Sequence, residues 1–273
     1  MTASAKGGPA VEEPAVEGLV VEGLRKQYGD HTAVDGVSFS LAPGTCLAIV
    51  GESGSGKTTT VRMLVGLERP DGGTVRLDGR DRSTRPRRRA ERLARAREIQ
   101  MVFQDPYLSL DPRVTVSGCL DEVLRLHTDL DAAGRGTRVT RLLDQVSLGT
   151  REAAALPRDL SGGQRQRVAI ARALAVEPRV LVLDEAVAAL DVSIQAQIIE
   201  LLGQIRSTSD ISYLFVTHDL AVVRHVADEV LVLKSGHLVE TGPAARVLES
   251  PEHPYTRLLL DSVPRRGRAA HGS

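Results

Sequence analysis

The run Gly51-Glu52-Ser53-Gly54-Ser55-Gly56-Lys57-Thr58 limits what this chain can fold into more than any other stretch. It stands between a short apolar run, Cys46–Val50, and a segment of helical pattern, Lys57–Leu67, which Gly66 and Pro70 stop. Strand, glycine-rich loop and helix in that order fit G-x-x-x-x-G-K-[ST], whose backbone N–H groups turn inward around phosphate oxygens. The helix N-terminus behind the loop adds its positive dipole end. Lys57 would reach the β- and γ-phosphates, and the Thr58 hydroxyl would ligate Mg²⁺. With Thr59 at the helix start, Gly51 to Thr59 form the candidate phosphate cradle.

The rest of the pattern agrees with an α/β fold. Val180–Leu183, Tyr213–Val216 and Val230–Leu233 read as short buried strands, with helical segments at Ile194–Ile205 and Leu220–Val226 between them. That alternation predicts a mostly parallel sheet with covering helices. Leu19–Leu24 and Val34–Leu41 alternate as strands of a separate antiparallel sheet, and Thr74–Leu77 with Asp78-Gly79 reads as a hairpin. From Val114 to Leu148 apolar residues recur at helical spacing, and Gly134 and Gly136 are expected to divide two helices. The expected organisation is a disordered tail at 1–17, a nucleotide-binding domain at 18–250 with a helical subdomain at about 106–165, and an extension with a basic tail at 251–273.

Formal net charge is zero, so nothing biases the whole chain toward nucleic acid or anionic lipid. Cys46 and Cys119 are the only cysteines, too few for a disulfide framework and without metal-ligand spacing. No apolar run approaches the roughly 18 residues of a spanning helix, and the N-terminus lacks the apolar core of a signal peptide. The expected location is therefore the cytoplasm, with any membrane role reached through a partner. Nine arginines fall between Arg80 and Arg97; without interleaved aromatics for base stacking, they read as a solvated loop and helix.

Catalytic chemistry is expected where strands end. Asp184 closes the run Val180–Leu183 and suits Mg²⁺, directly or through water. Glu185, one residue on, suits the general base that polarises an attacking water. Gln104 follows the strand-like Ile99–Phe103 and His218 follows Tyr213–Thr217, so both reach the edge where a parallel sheet binds ligands, as γ-phosphate sensors. Leu160-Ser161-Gly162-Gly163-Gln164 resembles a helix N-cap and makes a second anion site. Because the phosphate loop already holds one nucleotide, this second site serves a nucleotide held by another subunit.

In this order the motifs resemble the ABC-type ATPases, the nucleotide-binding subunits of ATP-binding cassette transporters, from about Leu19 to Pro264. Tyr28 matches the adenine-stacking aromatic, Gly51–Thr58 Walker A, and Gln104 the Q-loop. Leu160–Gln164 match the signature, Val180–Glu185 Walker B, Ala189-Leu190-Asp191 the D-loop, and His218 the switch histidine. The resemblance implies a P-loop ABC ATPase fold with an antiparallel β subdomain and a helical signature subdomain. It implies ATP and Mg²⁺, with Thr58, Gln104 and Asp184 at the metal and Glu185, His218, Gln104 and Lys57 in catalysis. Tyr28, the phosphate loop, Ser161, Gly162, Gly163, Gln164 and Asp191 would bind nucleotide.

A finer resemblance links Val102–Arg113, Asp191–Gln197 and Ser250–Arg257 to the oligopeptide/dipeptide importer ATPases, in the form of the second ATPase of their pair. It implies two integral membrane permease subunits, a second homologous ATPase (a heterodimer, or a homodimer), an indirect extracellular solute-binding protein and no nucleic acid. The chain would then sit peripherally at the cytoplasmic face of the membrane, with Tyr107 and Leu108 seating a permease coupling helix. No Cys follows Cys119, so no iron–sulfur cluster is assigned. One departure stands out: Glu185-Ala186-Val187-Ala188-Ala189-Leu190-Asp191 replaces the usual Glu-Pro-Thr-Ser-Ala-Leu-Asp, so Ala188 lacks the D-loop hydroxyl. The alternative is a non-transport ABC ATPase acting on DNA or ribosomes, which usually carries a long coiled-coil insertion or zinc cysteines.

Overall fold

The computed structural model describes residues 18–262, with backbone alone at Tyr107 and Leu108, so the expected coupling pair, the tail at 1–17 and the basic tail at 263–273 lie outside the described side chains. β1 (Leu19–Tyr28) and β2 (His31–Leu41) pair as an antiparallel hairpin, Leu19 opposite Leu41. Alternation buries Leu19 and Val21, slips at a bulge beside Gly23, and resumes with Leu24. β3 (Cys46–Val50) is buried along its whole length, as an interior parallel strand requires. It leads through the glycine-rich loop into α1 (Lys57–Leu64). That helix stops short of Leu67 because Gly66 turns left-handed and the Leu67 N–H folds back to the Arg62 carbonyl at 2.9 Å.

β4 (Gly72–Leu77) and β5 (Arg80–Asp81) form the expected hairpin, with Asp78 and Gly79 both at positive φ. They complete a four-stranded antiparallel sheet, order β2-β1-β4-β5. α2 (Arg89–Glu98) buries none of its residues and leads into β6 (Ile99–Val102). The arginine stretch is nevertheless not wholly solvated. Arg82 is 7% exposed and paired with Glu98, while Arg95 binds the carbonyls of Asp81, Arg82 and Thr84.

α3 (Val116–His127), α4 (Ala132–Gln145), α5 (Thr150–Ala154) and α6 (Gly162–Leu174) follow. The break between α3 and α4 falls at 128–131, so the expectation that Gly134 and Gly136 divide the helices is corrected. Both glycines lie inside α4. The Thr128 hydroxyl closes α3 on the Leu124 carbonyl, and the Asp131 carboxylate caps the Gly134 N–H at 2.8 Å. A good cap offsets the poor helix propensity of a glycine.

β7 (Val180–Asp184), α7 (Val192–Ser207), β8 (Ser212–Val216), α8 (Leu220–Val226) and β9 (Glu229–Lys234) match the expected alternation. β10 (His237–Pro243), α9 (Ala244–Glu249) and α10 (Pro254–Asp261) were not marked by the pattern. The larger sheet has six strands in the order β10-β9-β3-β8-β7-β6, parallel except for the antiparallel β10. Its parallel strands therefore bring Val50, Val102, Asp184 and Val216 to one edge. One core lies between this sheet and α3–α7, a second between the two sheets around α1, and a third under α8–α10. Among the described residues no helix is long and apolar enough to cross a membrane.

Candidate active site

The loop between β3 and α1 is pressed against its neighbours so closely that two glycines are obligatory. A Cβ at Gly51 would fall 2.2 Å from the Leu233 carbonyl oxygen, and one at Gly56 would fall 2.4 Å from that of Ala33. Both also hold positive φ, 153° and 101°. The Gly236 N–H donates to the Ser55 carbonyl at 3.0 Å, tying the loop to the β9–β10 turn. α1 starts at Gly56 with no side-chain cap, so its first amides stay unspent. Ser55 Oγ is buried without a hydrogen-bond partner among the described residues. Free amides and an orphaned hydroxyl in a cradle with no room for a Cβ fit an anion of phosphate type.

Lys57 is buried and folds back, its Nζ donating to the carbonyls of Gly51 and Glu52, both at 2.8 Å. Burial pulls its pKa down, against the opposing pull of Glu185, Asp184 and Glu52. Thr58 Oγ1 lies 3.4 Å from Asp184 Oδ1. Burial pushes the Asp184 carboxyl up, reinforced by Glu185, while Thr58, Arg62 and Lys57 oppose the rise. A hydroxyl and a carboxylate side by side suit a small hard cation that takes its remaining ligands from phosphate and water. Among the described residues no group of three His, Cys, Asp or Glu could hold a metal by itself.

Glu185 leaves β7 in a left-handed conformation, φ 48°, with its N–H on the Val216 carbonyl at 2.9 Å. Its carboxylate Oε1 is 3.3 Å from His218 Nδ1. Lys57, Glu185 and His218 share the wall of one cavity of about 440 Å³ with Gly51, Glu52 and Ser53. The same cavity is lined by Leu220, Leu259 and Ser262, which sequence reasoning missed. Nor did it find that the Tyr255 hydroxyl accepts the Glu52 N–H at 3.1 Å. The run Ser250–Arg257 was singled out by resemblance, but its spacing gave no hint of a contact with the loop.

Two expected residues stand apart. Gln104 is exposed in the bend after β6, which stops at Val102; it makes no hydrogen bond to Thr58 or Asp184 and does not line the cavity. Tyr28, at the end of β1, is 45% exposed, with Lys26 Nζ 5.2 Å from its ring centroid.

The Ser161–Gln164 run does not line the cavity either. Ser161 caps α6 through a reciprocal pair: its hydroxyl accepts the Gln164 N–H at 3.2 Å, and Gln164 Oε1 accepts the Ser161 N–H at 2.9 Å. That cap spends one of the amides expected to bind an anion. Gly163 abuts α7, since a Cβ there would fall 2.6 Å from Ile194 Cγ2, and Gly162 faces Leu190. Asp191 heads α7 with an exposed side chain that makes no capping bond. Ala186 and Val187 are each 1% exposed, so the altered positions after Glu185 pack into the core, and the Ala188 N–H closes the turn on the Glu185 carbonyl at 3.0 Å.

Residues 34–188 match the ABC transporter family model, and residues 239–272 match the model of the oligopeptide/dipeptide transporter C-terminal region. The chain is 49% identical over 238 residues to a protein of Brucella abortus (strain 2308) provisionally named a peptide import ATP-binding protein, covering 87% of this chain and 71% of that one. It is 48% identical over 232 residues to the glutathione import ATP-binding protein of Escherichia coli (strain K12), covering 85% of this chain but only 37% of that protein. Among solved structures, cbiO1 from Clostridium perfringens, part of the ABC transporter complex cbiONQ, superposes with a TM-score of 0.77 at 29% identity, over 91% of this chain and 96% of that one. A dimeric ATP-binding cassette in a post-hydrolysis state with ADP and Pi gives 0.74 at 29% identity, over 83% of this chain and 98% of that one.

Proposed function

Because the chain belongs to the ABC transporter ATPase family, we propose that it binds and hydrolyses ATP to power import of di- or oligopeptides, or a related small solute, across the cytoplasmic membrane. The observation that carries the hydrolytic part is the single cavity in which Lys57 and the phosphate loop face Glu185 and His218. The C-terminal match at residues 239–272 and the names of the relatives support a peptide cargo.

Nucleotide phosphates would enter the cradle of Gly51–Thr59, and the Lys57 ammonium, with two donors on the Gly51 and Glu52 carbonyls, would offer its third to the β- and γ-phosphates. Thr58 and Asp184 would hold Mg²⁺, whose charge offsets that of the phosphate oxygens. Glu185 would accept the proton of the attacking water, while His218, 3.3 Å away, fixes the carboxylate's direction. Gln104 reaches this centre only if its bend closes inward, and Tyr28 offers its exposed ring to the base.

Since Ser161, Gly162, Gly163 and Gln164 lie off their own cavity, they would complete the site of a second cassette, identical or homologous, with Asp191 beside it. Two integral permease subunits would hold the pair at the cytoplasmic face of the membrane, and an extracellular binding protein would supply the solute. Reconstitution with the neighbouring permease subunits and partner cassette in vesicles tests the proposal. ATP-dependent uptake of labelled peptides is expected. A chain that neither co-purifies with membrane subunits nor drives uptake would overturn it.

A further inference from the structure

An exposed aromatic at the end of a hairpin strand swings among rotamers unless something holds it. Tyr28 is such a residue, and the structure supplies a holder two positions back on β1. Lys26 places its Nζ over the Tyr28 ring, 5.2 Å from the centroid. With the ammonium over one face, the other is the face left open to a base.

Lys26 is not a free surface lysine. Its side chain is only 12% exposed, and its ammonium donates to the Arg69 carbonyl at 2.9 Å and to Asp71 Oδ1 at 3.4 Å. Asp71 is pinned in turn: its N–H donates to the Arg25 carbonyl at 2.9 Å, and its Oδ2 accepts the Gln27 N–H at 2.8 Å. Arg69 and Asp71 lie on the segment that joins α1 to β4, so the ammonium ties the ring to the helix that starts at the phosphate loop. Across the hairpin Tyr28 pairs with His31, and two residues on, Ala33 packs its carbonyl against Gly56 of that loop. Ring and cradle are thus connected from both strands.

We infer that Lys26 is a positioning residue for the Tyr28 ring, holding one face so that the other stands ready for the nucleotide base. The inference rests on the reading of Tyr28 as the base platform. Base and triphosphate are covalently joined, so the ring must sit at a set place relative to the cradle. A ring already held there loses little freedom when nucleotide enters, whereas a loose one must be ordered at that moment. Lys26 does not line the cavity of Lys57, Glu185 and His218, so its effect on affinity passes through the ring.

Lys26→Met keeps an apolar stem and removes the ammonium. Equilibrium titration of the full chain with Mg²⁺ and a non-hydrolysable ATP analogue should give a dissociation constant about two- to tenfold above wild type. Lys26→Arg, which keeps a cation over the ring, should stay within about twofold of wild type. Tyr28→Ala should raise the constant roughly five- to 150-fold, the worth of one base stack. In that background Lys26→Met should change affinity by less than about twofold, because the ring through which it acts is gone. Affinity unchanged or tightened by Lys26→Met would overturn the inference, as would a loss in Lys26→Arg equal to that in Lys26→Met. An equal loss with and without the ring would overturn it too, since the ammonium would then act on the nucleotide itself. If Tyr28→Ala leaves affinity unchanged, the reading of Tyr28 as the base platform fails, and the inference with it.

Discussion

Glu185 holds a left-handed backbone at φ 48°, a conformation that costs a side chain of its kind on the order of 1 kcal/mol or more. The surroundings enforce it: the Val216 carbonyl accepts its N–H, its own carbonyl accepts the Ala188 N–H, and Ala186 and Val187 anchor the turn in the core. The outcome is a carboxylate aimed at the cavity beside His218 rather than folded along the strand. Glu185→Gln preserves this shape but cannot accept the water's proton. ATP affinity should hold while turnover falls about 10²- to 10⁴-fold, as measured by steady-state phosphate release beside analogue binding. Near-normal turnover would remove Glu185 from the role of base. The placing of Asp184, Glu185 and His218 at strand ends was legible because each closes an apolar run. The positive φ was not, since no residue type at 185 announces it.

Helix α6 carries its own cap, and the residue that caps it is the one expected to face a neighbour's nucleotide. Ser161→Ala should therefore cost about 1 kcal/mol of stability, seen as a melting shift of about 2–4 °C. It should also slow hydrolysis in the assembled pair. If melting changes and pair activity does not, the run is a cap alone. The Arg82–Glu98 pair makes a different case. Arg82 is buried deeply enough that desolvation pulls its pKa down despite Glu98, so Glu98→Ala should leave a buried cation behind and cost about 3 kcal/mol in denaturant unfolding. A loss well below 1 kcal/mol would show that Arg82 re-pairs or reaches water. Sequence reasoning placed the strands and helices near the motifs because apolar periodicity is strong there. It read Arg82 as solvated because composition does not distinguish a buried arginine from its exposed neighbours. It missed α9 and α10 because each is short, six and eight residues, too few turns to set a period.

Across the whole molecule, the phosphate loop lines a cavity that the Ser161–Gln164 run does not reach, so on the proposed reading one chain would present two half-sites. Gly162 and Gly163 lie against Leu190 and Ile194, which joins the signature to the D-loop and α7 as one body. Ala188, exposed beside that body, is where a hydroxyl could reach a partner cassette. Ala188→Ser should raise the turnover of the reconstituted transporter about two- to tenfold by one hydrogen bond, with ATP affinity at this chain's own loop unchanged. An equal or lower rate would leave the alanine without mechanistic weight. The mostly parallel sheet and the separate antiparallel sheet were both readable from alternation. That the C-terminal helix reaches back to Glu52 was not, because the two residues are linked only by tertiary geometry.

The strand that delivers the phosphate loop pairs on one flank with residues 213–216 and on the other with 229–232, and the loop leans on Leu233, Gly236 and Tyr255. At about 5–20 residues per second of synthesis, Cys46–Val50 waits roughly 10–40 s on the ribosome before both flanking strands exist. For most of that interval neither edge of the strand has its native neighbour. The loop that this strand delivers is thus among the last segments to be assembled, although it is translated early. Until those strands are made, the cradle lacks the neighbours that shape it, and Cys46–Val50 presents two unpaired strand edges.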